Sequence, residues 1–333
     1  MAAGAEHVAH VVGPSRGGMR RHVRYLAEHP PAGYETLGVW GPADLGSYFD
    51  TVPFHAVERV PLIRPPKEAA VVHAHGFEAG LVALRRRRPP VVMTAHIDLV
   101  SQGRTAGSAT LRALVRLTAR RADALIAVSE TAGRHFSGAR VIPPAFEPLP
   151  APRRSRSEVR AELGTPDDRV VVVSVGRLHP DKGLDVFIGA VARTGAEGWI
   201  CGDGPLRGRL ERLASGTSVR LLGHRDDIAD ILGAADVFAL PSVGEAYGIA
   251  VVEAIGAGLP VVVSSAGAMS EIAGDAGLVV APGDRTGFAR AVERVAGDPA
   301  LRASLGARAR GAPKPDPDEL VGRIGAVYDE VTA

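Results

Sequence analysis

Residues 170–183 read Val170-Val171-Val172-Val173-Ser174-Val175-Gly176-Arg177-Leu178-His179-Pro180-Asp181-Lys182-Gly183. A run of β-branched apolar residues that stops at a glycine predicts a strand buried on both faces, and the charged segment after it predicts a loop. Arg177 offers a planar fork of donors and Lys182 a compact point charge, a pair suited to a diphosphate. The only lysines in the chain are Lys67, Lys182 and Lys314. A lysine in this loop therefore stands out from an arginine-rich background.

The same alternation extends outward from that stretch. Trp199-Ile200-Cys201-Gly202, Val219-Arg220-Leu221-Leu222, Val237-Phe238-Ala239-Leu240 and Pro260-Val261-Val262-Val263 follow as strands. Val8–Val12, Val71–Gly76, Pro90–His96 and Asp123–Ser129 precede it. Helical patterns lie between them: one after Arg16-Gly17-Gly18-Met19, one over 108–121, and a last one from near Asp318 to about Val331. Short apolar strands alternating with helices indicate α/β architecture with parallel, doubly wound sheets. A Pro- and Arg-rich stretch over 143–154 marks a linker, and a second break falls at 312–318. The expectation is two Rossmann-like domains, 1–150 and 151–315, with a helix over 316–333 packing back towards the first. Ligands in such sheets bind beyond the C-terminal ends of the strands.

Pro241-Ser242-Val243-Gly244-Glu245-Ala246-Tyr247-Gly248-Ile249-Ala250-Val251-Val252-Glu253-Ala254 follows the 237–240 strand. Its glycines allow close backbone approach, and a helix starting near Tyr247 would present free N–H groups and a positive dipole end to a diphosphate. Glu245 precedes that helix and Glu253 lies about two turns into it. Gly17 and Gly18 could bring further N–H groups to the same phosphates. Gly202-Asp203-Gly204-Pro205 lacks the glycine spacing of a dinucleotide fingerprint, which argues against a nicotinamide oxidoreductase. His73, His75 and His96 fall at strand ends; His73 reads as packing, His96 as an active-site residue, and His75 lies between these readings. Zinc is not expected, because no carboxylate or cysteine at metal-ligand spacing accompanies them.

Length and charge narrow the class. The chain has 333 residues, 46% of them hydrophobic, and a formal net charge of +2. That excludes a basic tail protein and an acidic disordered chain. Residues 1–150 carry 18 basic against 12 acidic side chains, and the remainder 21 against 25. The single cysteine, Cys201, rules out an intrachain disulfide. With no signal-peptide pattern at the N-terminus and no run of 18 apolar residues, a cytoplasmic location is expected. Arg85–Arg88 and the i, i+4 series Arg112, Arg116, Arg120 read either as solvated surface or as a peripheral contact with an anionic membrane or a polyprenyl-diphosphate acceptor. Interleaved aromatics are absent, so nucleic acid is not expected.

Taken together, Gly176-Arg177-Leu178 with Lys182-Gly183, Gly202-Asp203-Gly204-Pro205, Gly223-His224, Glu245-x7-Glu253 and Gly258-Leu259-Pro260-Val261-Val262 resemble the family-4 retaining glycosyltransferases of GT-B fold. The N-terminal half is similar more loosely, through Gly17-Gly18-Met19, His73–Gly76, Thr94-Ala95-His96 and Ala122–Ser129. The resemblance implies two Rossmann-like domains facing a central cleft and a hexose transferred, with retention, from a UDP- or GDP-sugar to a hydroxyl acceptor. No metal or other cofactor is implied. Arg177 and Lys182 would neutralise the donor diphosphate and Glu253 would bind the ribose. Glu245, with the backbone of Ala246, Tyr247, Gly248 and Ile249, would hold the donor sugar. Gly204 would line the donor site, His224 would lie near the base, and His96 near the transferred sugar. The family's Ile-Pro-Asn-Gly linker is replaced by Ile142-Pro143-Pro144-Ala145. A nucleotide-sugar epimerase of similar architecture and a non-catalytic nucleotide-sugar-binding protein are the alternatives.

Overall fold

The computed structural model describes residues 5–14, 17–58, 66–82, 89–96 and 107–333, without the side chains of 107–112 and 114. Its strands are β1 (Glu6–Val12), β2 (Tyr34–Gly41), β3 (Phe54–Ala56), β4 (Val71–His75), β5 (Val91–Ala95), β6 (Ala124–Ala127), β7 (Arg140–Val141), β8 (Val171–Val175), β9 (Glu197–Cys201), β10 (Val219–Gly223), β11 (Val237–Leu240), β12 (Val261–Ser264) and β13 (Gly277–Val280). The helices are α1 (Gly18–Glu28), α2 (Phe77–Gly80), α3 (Gly107–Arg121), α4 (Glu130–Gly133), α5 (Arg156–Glu162), α6 (Leu184–Val191), α7 (Arg207–Ala214), α8 (Ile228–Ala234), α9 (Ile249–Gly256), α10 (Met269–Ala273), α11 (Arg285–Gly297), α12 (Pro299–Gly311) and α13 (Pro317–Thr332).

The chain forms two units. One consists of Met1–Glu147 together with Pro315–Ala333, the other of Pro148–Lys314. In the first, the strands run in the order β3-β2-β1-β4-β5-β6-β7. In the second the order is β10-β9-β8-β11-β12-β13. The paired strands are parallel throughout, because each connection returns through a helix or a long loop. Each order reverses direction once, between β1 and β4 in the first unit and between β8 and β11 in the second. At such a reversal the loops after the two central strands diverge to opposite faces and leave a crevice at the strands' C-terminal ends.

Central strands are buried on both faces and so read as continuous apolar runs. Val171, Val172 and Val173 of β8 and all of β11 and β12 are buried. The second unit packs Trp199, Phe238, Ile231 and Met269 on one side of its sheet and Phe187, Phe288, Leu178 and Ile200 on the other. In the first unit α13 supplies Leu320, Val321, Ile324, Val327 and Tyr328 to the core that also holds Val8, Leu26, Val71, Val92 and Ile126. Each such apolar side chain contributes on the order of 1.5–3 kcal/mol by leaving water. Asp316 accepts from the N–H groups of Asp318 and Glu319, and Pro317 opens the helix where its missing donor costs nothing. Tyr25 and Tyr34 then donate to Asp318 and Asp329 at 3.1 and 3.0 Å, pinning both ends of α13.

The second unit begins with an ionic latch. Asp230 of α8 is buried, and its carboxylate accepts from the backbone N–H groups of Arg153 and Arg154 at 2.6 and 3.2 Å and from Arg154 Nε at 3.0 Å. Arg160 is fully buried, donates to Asp236 at 2.8 Å and satisfies the carbonyls of Ala234, Pro166, Asp167 and Arg169. Asp236 also accepts from the N–H of Val171, so α5 is tied to the start of β8.

Candidate functional site

The reversal point of the second unit is where Arg177, Lys182, Glu245 and Glu253 lie. The loop after β8 runs from Gly176 through a single 3-10 turn, Pro180–Lys182, into α6. His179 caps that turn and also contacts Asp181 at 2.9 Å. The loop after β11 is stitched to it by backbone: the N–H groups of Val243 and Gly244 donate to the carbonyl of Asp181 at 2.8 and 3.3 Å. Gly183 makes this approach possible. Its φ is +61°, and a Cβ there would stand 2.3 Å from the Pro241 carbonyl oxygen. Gly267 serves the far side of the same loop, where a Cβ would lie 2.0 Å from the Glu245 carbonyl oxygen at φ +56°.

The stitching brings Lys182 and Glu245 into a direct ion pair, with both side chains mostly shielded from solvent. Arg177 is half-buried in the same loop as Lys182 and makes no ion pair among the described residues. Gly248 sits at the N-cap of α9 with φ 102°, no side chain caps that helix, and no acidic residue occupies its first turn. Its N-terminal N–H groups and dipole are therefore open to an anion. The helix begins at Ile249, two residues after Tyr247, because Gly248 holds a left-handed conformation that a helix cannot include. Glu253 is accordingly one turn into α9 and half-buried. Burial, and then the Glu271 carboxylate, push the Tyr247 hydroxyl up to about 12, so it remains a donor at neutral pH.

Other predicted residues have different surroundings. Gly204 and Asp203 pack on the β8 loop: Leu178 N donates to Asp203 O at 2.9 Å and Leu206 N to Leu178 O at 3.1 Å. The Gly202–Pro205 segment thus braces the loop that carries Arg177. His224 is exposed at the end of edge strand β10, with its Nε2 3.2 Å from Asp226. Gly17 and Gly18 open α1 in the first unit, Gly17 as its N-cap with φ 73°. Arg85–Arg88 and the side chain of Arg112 lie outside the described residues, whereas Arg116 and Arg120 are exposed on α3. Among the described residues no helix is long and apolar enough to cross a membrane. Asp181, Gly267 and Tyr247's neighbour Glu271 were not singled out from sequence. Their contributions come from backbone approach and tertiary contact, which no local spacing signals.

The reversal point of the first unit gathers histidines instead. His10 on β1, His73 and His75 on β4, His22 on α1 and His96 directly after β5 form one connected group of rings, with neighbouring centroids 4.0 to 5.9 Å apart. His10, His22, His73 and His75 are buried, and His96 is half-buried. His73 is saturated, with Nδ1 2.7 Å from the Tyr328 hydroxyl and Nε2 2.6 Å from Thr94 Oγ1. His22 Nδ1 meets the Ala145 carbonyl at 3.0 Å, and His10 Nδ1 meets His75 Nε2 at 3.1 Å. Burial, followed by the influence of neighbouring imidazoles, lowers His10 to about 3. Burial also lowers His22 to about 4, against the opposing Ala145 bond. His73, His75 and His96 are held well below the usual imidazole range for the same first reason. The group is neutral at physiological pH. His10 and His22 were missed because a single histidine in an apolar strand or on an amphipathic helix carries no signal of its own.

Both units match known family models. Residues 7–146 match the model described as Glycosyltransferase Family 4, and residues 169–298 the model described as Glycosyl transferases group 1. The lipopolysaccharide core biosynthesis glycosyltransferase LpsE of Rhizobium meliloti is 41% identical over 156 residues, which cover 45% of this chain and 46% of that protein. The chain thus spans about half the length of that relative. The D-inositol 3-phosphate glycosyltransferase of Xylanimonas cellulosilytica is 31% identical over 282 residues, covering 73% of this chain and 67% of that protein. Among solved structures, Anabaena HepE in complex with UDP superposes with a TM-score of 0.80 at 21% identity, covering 98% of this chain and all of that one. Sucrose-phosphate synthase from Thermosynechococcus elongatus gives 0.77 at 21% identity, covering 98% and 99%. These likenesses identify the fold as GT-B. With the doubly wound order of both sheets and the loops gathered at β8 and β11, they establish that this chain belongs to glycosyltransferase family 4.

Proposed function

We propose that the chain transfers a hexose from a UDP- or GDP-sugar to a hydroxyl acceptor, with retention of anomeric configuration. The observation that carries this reading is the convergence of Lys182, Glu245 and the uncapped N-terminus of α9 at the reversal point of the second sheet. Arg177, Lys182 and the helix end supply positive charge where a departing nucleoside diphosphate develops negative charge, the electrostatic contribution that transfer requires. Glu245 orients the sugar, and Glu253, one turn into α9, accepts from the ribose hydroxyls. Support comes also from the named relatives: HepE has been solved with UDP and with UDP plus glucose, and a mycobacterial relative 38% identical over 129 residues is a GDP-mannose-dependent mannosyltransferase.

The test is a panel of UDP- and GDP-hexoses with hydroxyl acceptors, scored for transfer and for the anomeric configuration of the product by NMR. Glu245→Ala and Lys182→Ala are each expected to lower transfer by about 10²-fold or more in a protein that still folds. Full activity in both variants overturns the assignment. Donor conversion without acceptor would identify an epimerase instead, and donor binding with neither reaction a binding protein.

A further inference from the structure

We propose that His22, His75 and His96 form a three-imidazole binding site for a borderline transition-metal dication, zinc in particular, at the reversal point of the first sheet. The residues come from three separate elements, α1, β4 and the segment after β5. One ligating nitrogen from each lies within 4.8 Å of the other two. Among the described residues seven buried side-chain nitrogens and oxygens have no hydrogen-bond partner. Three of the seven are His22 Nε2, His75 Nδ1 and His96 Nε2. Leaving one buried polar atom unpaired costs about 1–3 kcal/mol, so three on neighbouring rings call for a common partner.

The second ring nitrogens of His22 and His75 are arranged as metal ligands require. The Ala145 carbonyl can only accept, so His22 Nδ1 carries the hydrogen and Nε2 is left with its lone pair. His75 Nε2 faces His10 Nδ1; with the hydrogen on His75 Nε2, His75 Nδ1 likewise presents a lone pair. A ligating imidazole whose other nitrogen donates to a neighbouring acceptor is the usual outer arrangement of a protein-bound metal. A second triple, His10, His73 and His75, also lies within ligating distance. It is the weaker candidate, since both nitrogens of His73 are engaged by Tyr328 and Thr94. Zinc–nitrogen bonds of about 2.0–2.1 Å place tetrahedral ligand atoms roughly 3.3 Å apart, so the rings need to close by no more than about 1.5 Å. His96 is the half-buried member, which gives the ion a route in and leaves a fourth position for water or an oxygen ligand.

The sequence offered no metal motif because the ligands are spread over 75 residues and include neither carboxylate nor cysteine. This inference stands apart from the donor assignment, since its measurement needs no nucleotide sugar. The full chain, stripped with chelator, is titrated with Zn2+ by calorimetry and with Co2+ by visible absorption. One equivalent is expected to bind, with the intense visible bands of four-coordinate cobalt. His22→Gln and His96→Gln are each expected to weaken zinc at least about tenfold, while His224→Gln, at an exposed histidine of the other unit, leaves the affinity unchanged. The cobalt spectrum of the unaltered chain keeps the test valid even if a variant misfolds. Absence of a stoichiometric site, or equal affinity in the unaltered chain and both folded variants, overturns the proposal.

Discussion

Lys182 and Glu245, 63 residues apart in sequence, are paired to each other. The pair joins the loop after β8 to the loop after β11, and the backbone bonds from Val243 and Gly244 to Asp181 hold it in place. An ion pair at a partly exposed position contributes little to stability, about 0–1 kcal/mol. Its expected importance is therefore in catalysis. Lys182→Ala should lower transfer by about 10²–10³-fold, the usual effect of removing one group that stabilises developing charge. The melting temperature should stay within a few degrees. Because the two side chains act together, the double variant with Glu245→Ala should lose little more than the worse single variant. Steady-state kinetics on the three proteins, beside thermal melts, decide the matter; strictly additive losses would contradict it.

Gly183→Ala should disturb the same site from the backbone side. The left-handed conformation costs an alanine about 1–2 kcal/mol, and the new methyl would collide with the Pro241 carbonyl oxygen. Urea unfolding should show a loss at least that large, together with weaker donor binding. Gly189→Ala, where a Cβ meets nothing within 4 Å, is the matched control and should be neutral or slightly stabilising.

Asp230 should make the second unit sensitive to acid. Burial opposes its charge, but the Arg154 guanidinium and the N–H groups of Arg153 and Arg154 outweigh that, so the carboxyl is held below its unfolded value of 3.8. A carboxyl whose folded pKa is depressed contributes its stability in full well above the unfolded pKa and loses it as the pH falls through the folded one. Asp230→Asn should therefore cost on the order of 2 kcal/mol near neutrality, and its deficit against the unaltered chain should shrink as the pH is taken below about 4. Denaturant midpoints measured from pH 3 to 7 test this; a deficit that does not change with pH would refute it.

Cys201 ends β9 fully buried, and burial pushes its thiol up to about 12. The thiolate is the reactive form, so the folded protein should ignore an aromatic disulfide reagent at pH 8 and release one equivalent of chromophore only in denaturant. Rapid labelling of the native chain would show that β9 opens readily.

The parts of the fold legible in the sequence were those with the strongest local signals. Val170–Val173 and Val261–Val263 are uninterrupted apolar runs because their strands lie inside a parallel sheet, paired on both sides. Strands β2, β3 and β13 gave no such signal. Phe54–Ala56 has two exposed residues out of three, Tyr34–Gly41 is interrupted by Gly38, and Gly277–Val280 is only partly buried. The gathering of Arg177, Lys182 and Glu245 at one reversal point was legible because the loops that follow the central strands β8 and β11 carry these charges in short, ordered segments. The histidine group was legible only in fragments. His73 and His75 stand two apart on one strand face, but His10 and His22 join them through the pairing of β1 with β4 and the return of α1, both products of tertiary folding.

The helix α13 belongs to the first unit although all of the second unit precedes it in the chain. During synthesis the second unit, an unbroken segment, can finish folding as soon as it emerges. The first cannot: until α13 arrives, the core around Val8 and Val71 is uncovered and His73 lacks the Tyr328 hydroxyl. Folding of the half made first thus completes last, and an apolar sheet face stays open to chaperones, or to aggregation, for the whole time the intervening unit is being translated.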